Sequence, residues 1–226
     1  MTSGTADNPS SATVPLFVRF DGARVVSVGA GPVAASKALP LLDAGADLVV
    51  VAPTASPDIA RAAAAGRLTW HRRGFQEADL EGAVLVIAAT ADPERNAAVA
   101  RAAADRATLC VRVDRGGQGT AALAGVVRRG ALTLAVSTSD QAPALARHLR
   151  TELDGAYGPE WGELVALYAE LRSDPEIADA LAGLTDVQRR ARWRAIPVPD
   201  ILRLIRTGRH SDAKRVASAC LSSSSG

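Results

Sequence analysis

Cysteine is scarce in this chain, with only Cys110 and Cys220 among 226 residues. Two are too few for a disulfide framework or a thiolate metal site, and that usage points to a reducing, cytoplasmic setting. Cys110 sits inside the apolar run Leu109-Cys110-Val111 and reads as a buried structural thiol. Histidine is nearly as rare: His71, His148 and His210 share no ligand spacing, so no metal site is expected. No apolar run approaches the roughly 18 residues that a membrane span needs. Aromatic residues make up 4% of the chain and form no spaced stacking platform, which argues against nucleic acid as a partner. Residues 1–12 are rich in Ser, Thr, Gly, Asn and Pro and have neither a basic start nor an apolar core. They read as a disordered lead-in and not as a secretory signal. The serine-rich end, 221–226, reads as a disordered tail.

Charge is present but unevenly placed. From Leu184 onward nine Arg and Lys face three acids, a net of +6 in a chain whose total is +2. Either a solvated helix face or contact with an anionic ligand or partner subunit would account for it.

The richest stretch is Arg24-Val25-Val26-Ser27-Val28-Gly29-Ala30-Gly31-Pro32-Val33-Ala34, a buried-strand pattern running into Gly-x-Gly-x-x-Ala and a helix. Gly29 permits the tight strand-to-helix turn, Gly31 lets the backbone approach a pyrophosphate, and Ala34 leaves room for helix to pack on strand. The helix start then offers N–H groups and partial positive charge to phosphates. The pattern continues as alternating strands and helices to about residue 113. Strands are expected at 24–28, 47–51, 68–72, 84–88 and 109–113, and helices at 32–44, 57–65 and 93–106. Ser56-Pro57 and Asp92-Pro93 mark helix starts, and Gly45 and Gly66 fall where helices end. The strands are short apolar runs, as in a parallel sheet covered on both faces.

The expected fold class is therefore α/β, with an N-terminal Rossmann-type doubly wound parallel sheet at 13–114. Gly116-Gly117-Gln118-Gly119 breaks the rhythm. Candidate strands at 121–127 and 132–136 then define a small α+β dimerisation region at 115–155. A helical C-terminal lobe follows at 156–220. Its helices have few partners in sequence and are not expected to build a large core alone, which favours a docked lobe or a dimer-forming arm.

Ligands of open parallel sheets bind outside the carboxyl ends of the strands. Gly29, Ala30, Gly31, Pro32 and Val33 with Ala34, then Ala52-Pro53-Thr54, then Ala89-Thr90-Ala91-Asp92, then Asp114, are the segments that should converge there. The second strand ends in Ala52-Pro53-Thr54 with no acid for the ribose hydroxyls and no arginine, which leaves NAD or NADP open and tilts toward NAD. A carboxylate at Asp114 could take a proton in such a crevice, and partial burial would raise its pKa toward the working range.

These pieces resemble the dehydrogenase and ferrochelatase module of siroheme synthases. The resemblance is carried by Pro15-Leu16-Phe17, by the Val28–Ala34 loop followed by Lys37, and by Gly45-Ala46 leading to Val50-Val51-Ala52-Pro53. It continues through Ile87-Ala88-Ala89-Thr90-x-Asp92-Pro93-x-x-Asn96, Cys110-Val111-Arg112-Val113-Asp114 and Leu134-x-Val136-Ser137-Thr138. It implies NAD as cofactor, a homodimer, and oxidation of the tetrapyrrole precorrin-2 to sirohydrochlorin, with Fe2+ insertion as a further activity. Asp114 is then the catalytic residue, and Ser137 and Thr138 line the substrate cavity. Arg112, Arg147 and His148 are further substrate-side candidates, the arginines being suited to acetate and propionate groups. The loop Ser137-Thr138-Ser139-Asp140 lacks the paired glycines common in the family. Two other readings stay open: an NAD-sensing regulatory module without catalysis, and a tetrapyrrole chelatase without dehydrogenase activity.

Overall fold

The computed structural model describes residues 13–222. By compactness the chain divides into two units. The first runs through Leu123 and regains Ser137–Ala142; the second holds Ala124–Val136 and the chain from Pro143. This division differs from boundaries at 114 and 155, because the hairpin packs with helices that follow it and the segment after residue 114 returns to the parallel sheet.

The first unit runs β1 (Arg24–Val28), α1 (Pro32–Asp43), β2 (Asp47–Val51), α2 (Pro57–Ala64), β3 (Thr69–His71), β4 (Leu85–Ala88), α3 (Pro93–Ala104) and β5 (Leu109–Arg112). All five strands are parallel, in the order β3-β2-β1-β4-β5. The chain thus moves outward from β1 in one direction, then returns to build β4 and β5 on the other side. This creates a topological switch point between β1 and β4.

Alternation along the strands feeds two cores. Val25, Leu48, Val50 and Ile87 pack on one face with Ala35, Ala38 and Leu41 of α1 and Ile59 of α2. Val26, Val28, Val49, Val51 and Val86 pack on the other with Val99, Ala102 and Ala103 of α3. Each fully buried Val, Leu or Ile side chain contributes about 1.5–3 kcal/mol, so the doubly covered sheet is the stable frame behind the loops.

Helix punctuation follows the expected chemistry. Pro57 and Pro93 open α2 and α3, and the Asp92 carboxylate accepts from the N–H groups of Glu94 and Arg95. Gly45, at φ 89°, and Gly66, at φ 68°, end α1 and α2 in the left-handed conformation.

The second unit contains the antiparallel hairpin of β6 (Gly125–Arg129) and β7 (Leu132–Val136). Strand β6 starts later than the apolar run at residue 121 suggests. The Ala121 N–H instead donates to the Cys110 carbonyl at 3.0 Å, and the Cys110 N–H donates to Thr120 Oγ1 at 2.8 Å. The free edge of β5 captures this segment before the hairpin can.

Six helices follow: α4 (Pro143–Ala156), α5 (Pro159–Ser173), α6 (Pro175–Ala182), α7 (Asp186–Arg194), α8 (Val198–Arg206) and α9 (His210–Ser222). Contrary to expectation these helices do build a core of their own. Leu164, Leu171, Ile177, Leu181, Ile196, Ile201, Leu202, Ile205, Ala213, Ala217 and Leu221 are buried together. Short amphipathic helices suffice because each presents its apolar stripe to several others. The burial of Leu221 also corrects the tail boundary: helix α9 runs to Ser222, while the proposed lead-in at 1–12 lies outside the described residues.

Most of the basic excess in this unit is spent internally. Arg206 pairs with Glu160 at 2.6 Å, Lys214 with Glu170 at 2.6 Å, and Arg203 with Asp200 at 2.7 Å. Arg192 donates to the Leu221 carbonyl at 2.6 Å. No helix among the described residues is long and apolar enough to cross a membrane.

Candidate functional site

At the switch point the chain crosses itself so closely that only glycine fits. Gly29 has φ 108°, and a Cβ there would lie 2.3 Å from the Ala89 carbonyl oxygen. The loop is fixed from below by the buried Ser27, whose Oγ donates to the Gly29 carbonyl at 2.9 Å. It is fixed from the side by the Ser56 N–H, which donates to the Ala30 carbonyl at 2.8 Å. Gly31 is different. Its φ is −70°, which any residue adopts, and a Cβ would meet nothing within 4 Å.

The chain therefore gives no internal reason for glycine at position 31. A ligand backbone pressed against the start of α1 gives one, since an added methyl would occupy the space a pyrophosphate needs. Pro32 lacks an N–H, so the first turn presents those of Val33 and Ala34. Val33 is exposed and Ala34 is buried against the sheet, as helix packing requires. The Ser56 hydroxyl beside this loop is buried and has no hydrogen-bond partner. Both observations fit a bound dinucleotide.

Ala52 and Pro53 follow β2. The Ala52 N–H donates to the His71 carbonyl at 3.1 Å, and the Ala52 carbonyl accepts from the Trp70 indole at 2.9 Å. Trp70 and the neighbouring Arg72 were not among the residues expected from sequence. Their signal was non-local, because only the pairing of β3 with β2 brings them to this end of the sheet.

Thr90 and Asn96 form one closed device between β4 and α3. The buried Asn96 side chain accepts from the Thr90 N–H at 3.0 Å and from Thr90 Oγ1 at 2.8 Å, and its amide donates back to the Thr90 carbonyl at 3.1 Å. Asn96 is thus a clamp that shapes the loop beside Gly29.

Asp114 lies just past β5. Its carboxylate accepts from Arg112 twice, from Nη2 at 2.6 Å and from Nε at 3.2 Å. Arg112 is 6% exposed, and its Nη1 donates to Gln118 Oε1 at 2.9 Å. Two expectations change here. The Arg112 donors are committed inside the protein and are not free for a substrate carboxylate. The Asp114 pKa is lowered, not raised: the Arg112 hydrogen bonds outweigh desolvation, with a lesser contribution from the Asn96 amide. Asp114 is accordingly a permanent anion at neutral pH. Cys110, buried two residues before Arg112 on β5, has its thiol pushed up to about 11 by burial and is inert.

Ser137 and Thr138 belong to the loop that rejoins the first unit. Ser137 Oγ accepts from the Ser139 N–H at 3.1 Å, and Thr138 Oγ1 accepts from the Ala142 N–H at 3.3 Å. Ser139 and Asp140 take φ of 51° and 59°, so the turn keeps a glycine-like backbone without glycine. Arg147 and His148 stand on α4, in the other unit; His148 is exposed and lies 3.3 Å from Glu152. Among the described residues no three His, Cys, Asp or Glu side chains stand together as a metal site.

A glycine loop at the switch point of a parallel sheet, with clamped loops after β2 and β4, defines a dinucleotide-binding domain of the Rossmann class. Residues 16–124 match a family described as putative NAD(P)-binding. The chain is 35% identical over 214 residues to the siroheme synthase of Xylella fastidiosa (strain M12), covering 94% of this chain and 44% of that one. It is 39% identical over 210 residues to the siroheme synthase of Pseudomonas putida (strain W619), covering 91% and 44%. The chain is similar to one part of these siroheme synthases, and it spans less than half of their length. Its fold matches the solved structure of SirC, precorrin-2 dehydrogenase, with a TM-score of 0.69 and 23% identity, over 92% of this chain and 98% of that one.

Proposed function

We propose that this protein oxidises precorrin-2 to sirohydrochlorin with NAD as the hydride acceptor, a step of siroheme formation. One observation carries the reading: an aspartate held ionised by a buried arginine stands at the carboxyl end of β5, on the same sheet edge as the Gly29–Gly31 loop. The names of the similar siroheme synthases and of the precorrin-2 dehydrogenase that shares the fold support it.

Oxidation removes a hydride from a saturated macrocycle carbon and a proton from the conjugated nitrogen system. Bound NAD supplies the acceptor for the hydride. As the hydride leaves, positive charge develops on the macrocycle, and the Asp114 carboxylate stabilises it at no cost of reorganisation because Arg112 already fixes its orientation. The proton then passes to this carboxylate or to water. With its pKa lowered, Asp114 is a better electrostatic partner than a proton store, and it releases the proton readily. Gly29, Ala30, Gly31, Pro32 and Val33 hold the pyrophosphate, Ala52 and Pro53 border the adenosine ribose, and Thr90, positioned by Asn96, borders the nicotinamide half. Ser137 and Thr138 border the macrocycle.

A homodimer is part of this reading, and Leu145 of α4, 50% exposed, is apolar surface that a second copy would cover. The test is anaerobic spectroscopy of the purified protein with precorrin-2 and NAD. Equal amounts of NADH and sirohydrochlorin are expected to form. NAD binding without turnover would favour a sensing module instead, and insertion of added Fe2+ into sirohydrochlorin without NAD would mark a chelatase.

A further inference from the structure

In glycine-loop folds the residues after the second strand meet the adenosine ribose. An acid there binds the 2′-hydroxyl and repels a 2′-phosphate, whereas a nearby arginine admits the phosphate. Here the segment Ala52-Pro53-Thr54 contains neither. A cation stands just past the end of the neighbouring strand β3, at Arg72.

Trp70 pairs with Val50 in the β2–β3 register, and its indole reaches across the end of β2 to the Ala52 carbonyl at 2.9 Å. The Arg72 guanidinium carbon lies 4.4 Å from the centre of that indole ring. Stacking of this kind holds an arginine in place while leaving its N–H edge free. Arg72 is exposed, and the acid nearest in this segment, Asp58, is committed to Arg61. A second observation comes from the start of α2, which follows β2 in the chain. Ser56 donates its N–H to the Ala30 carbonyl of the glycine loop, while its hydroxyl is buried and has no partner.

We propose that Arg72, held on Trp70, binds the 2′-phosphate of the adenosine ribose, with the Ser56 hydroxyl as a second donor, so that the crevice accepts NADP as well as NAD. This rests on the dinucleotide reading of the crevice given above. A phosphate oxygen satisfies both the free guanidinium edge and the orphaned hydroxyl, and nothing acidic in the Ala52–Thr54 segment opposes it.

The experiment is calorimetric titration of the full chain with adenosine 2′,5′-bisphosphate and with 5′-AMP, repeated on Arg72→Gln and Arg72→Lys. The native chain should bind the bisphosphate about tenfold more tightly than 5′-AMP, as expected for one charge-assisted contact. Arg72→Gln should abolish that preference and leave 5′-AMP affinity within about twofold, and Arg72→Lys should restore part of it. Equal binding of the two nucleotides by the native chain overturns the proposal, as does an equal loss for both in Arg72→Gln, which would mean that Arg72 only supports Trp70. If 5′-AMP binds while the bisphosphate does not, the dinucleotide reading survives and this inference falls. If neither binds, both fall.

Discussion

Arg112, the last residue of β5, grips Asp114 two residues further on with two prongs, at 2.6 and 3.2 Å. The arginine is almost wholly buried and the aspartate side chain is 20% exposed, so the pair is neutral as a whole but its carboxylate is the partner within reach of solvent. The lowered carboxyl pKa that results has a definite sign. Ionised Asp114 contributes stability above its ordinary carboxylate range, and that contribution is lost as pH falls through the lowered value.

Arg112→Ala removes the cause of that lowering. The Asp114 carboxyl should titrate at a higher pH than in the native chain, and the protein should lose about 1–3 kcal/mol for the broken charge-assisted bonds. Carboxyl chemical shifts followed by NMR across acidic pH, alongside denaturant unfolding, check both. An unchanged Asp114 titration would show that Arg112 is not its controlling neighbour.

Gly29 and Gly31 should separate folding from ligand binding. Gly29→Ala places a methyl 2.3 Å from the Ala89 carbonyl oxygen at φ 108°, so the sheet edge must shift and the melting temperature should fall by many degrees. Gly31→Ala meets nothing and strains nothing, so its melting temperature should match the native chain while NAD affinity drops at least about tenfold. Thermal unfolding and NAD titration of the two variants check this.

Much of this was legible in the sequence because it is local. Gly29, the Asp92-Pro93 helix start and the Gly45 and Gly66 helix ends are each set by the backbone needs of a few adjacent residues. The Arg112–Asp114 pair was legible in part, since two oppositely charged residues two apart at a strand end are close in the chain whatever follows the strand. Its consequence for pKa was not, because whether burial or pairing wins depends on distances. The capture of Thr120 and Ala121 by the edge of β5, and the meeting of Trp70 with Ala52, depend on strand pairing across the sheet. Alternation alone cannot report such pairing. The helical core is illegible for the same reason: Leu171, Ile201 and Leu221 join only in three dimensions.

Asn96→Ala removes three hydrogen bonds to Thr90 in one change. It should destabilise the chain by about 2–3 kcal/mol and raise the KM for NAD more than it lowers kcat, because the loop loses its clamp while Asp114 loses only the lesser of its hydrogen-bonding influences. Steady-state kinetics resolves the two effects.

Ala107 is an alanine in a glycine's place. It closes α3 at φ 54° with the same pair of backbone bonds, Ala107 N–H to Ala104 and Thr108 N–H to Ala103, that Gly45, Gly66 and Gly208 make at the ends of their helices. Ala107→Gly should stabilise the chain by about 1 kcal/mol by relieving the left-handed strain, read from the denaturation midpoint.

Asp114→Asn keeps the shape of the side chain and removes its charge, and it tests the central claim most directly. NAD affinity by titration and precorrin-2 oxidation under anaerobic conditions should be measured on the same preparation beside the native chain. The account predicts NAD binding within about twofold of native and turnover reduced by about 100-fold or more. Native-level oxidation by Asp114→Asn would contradict it.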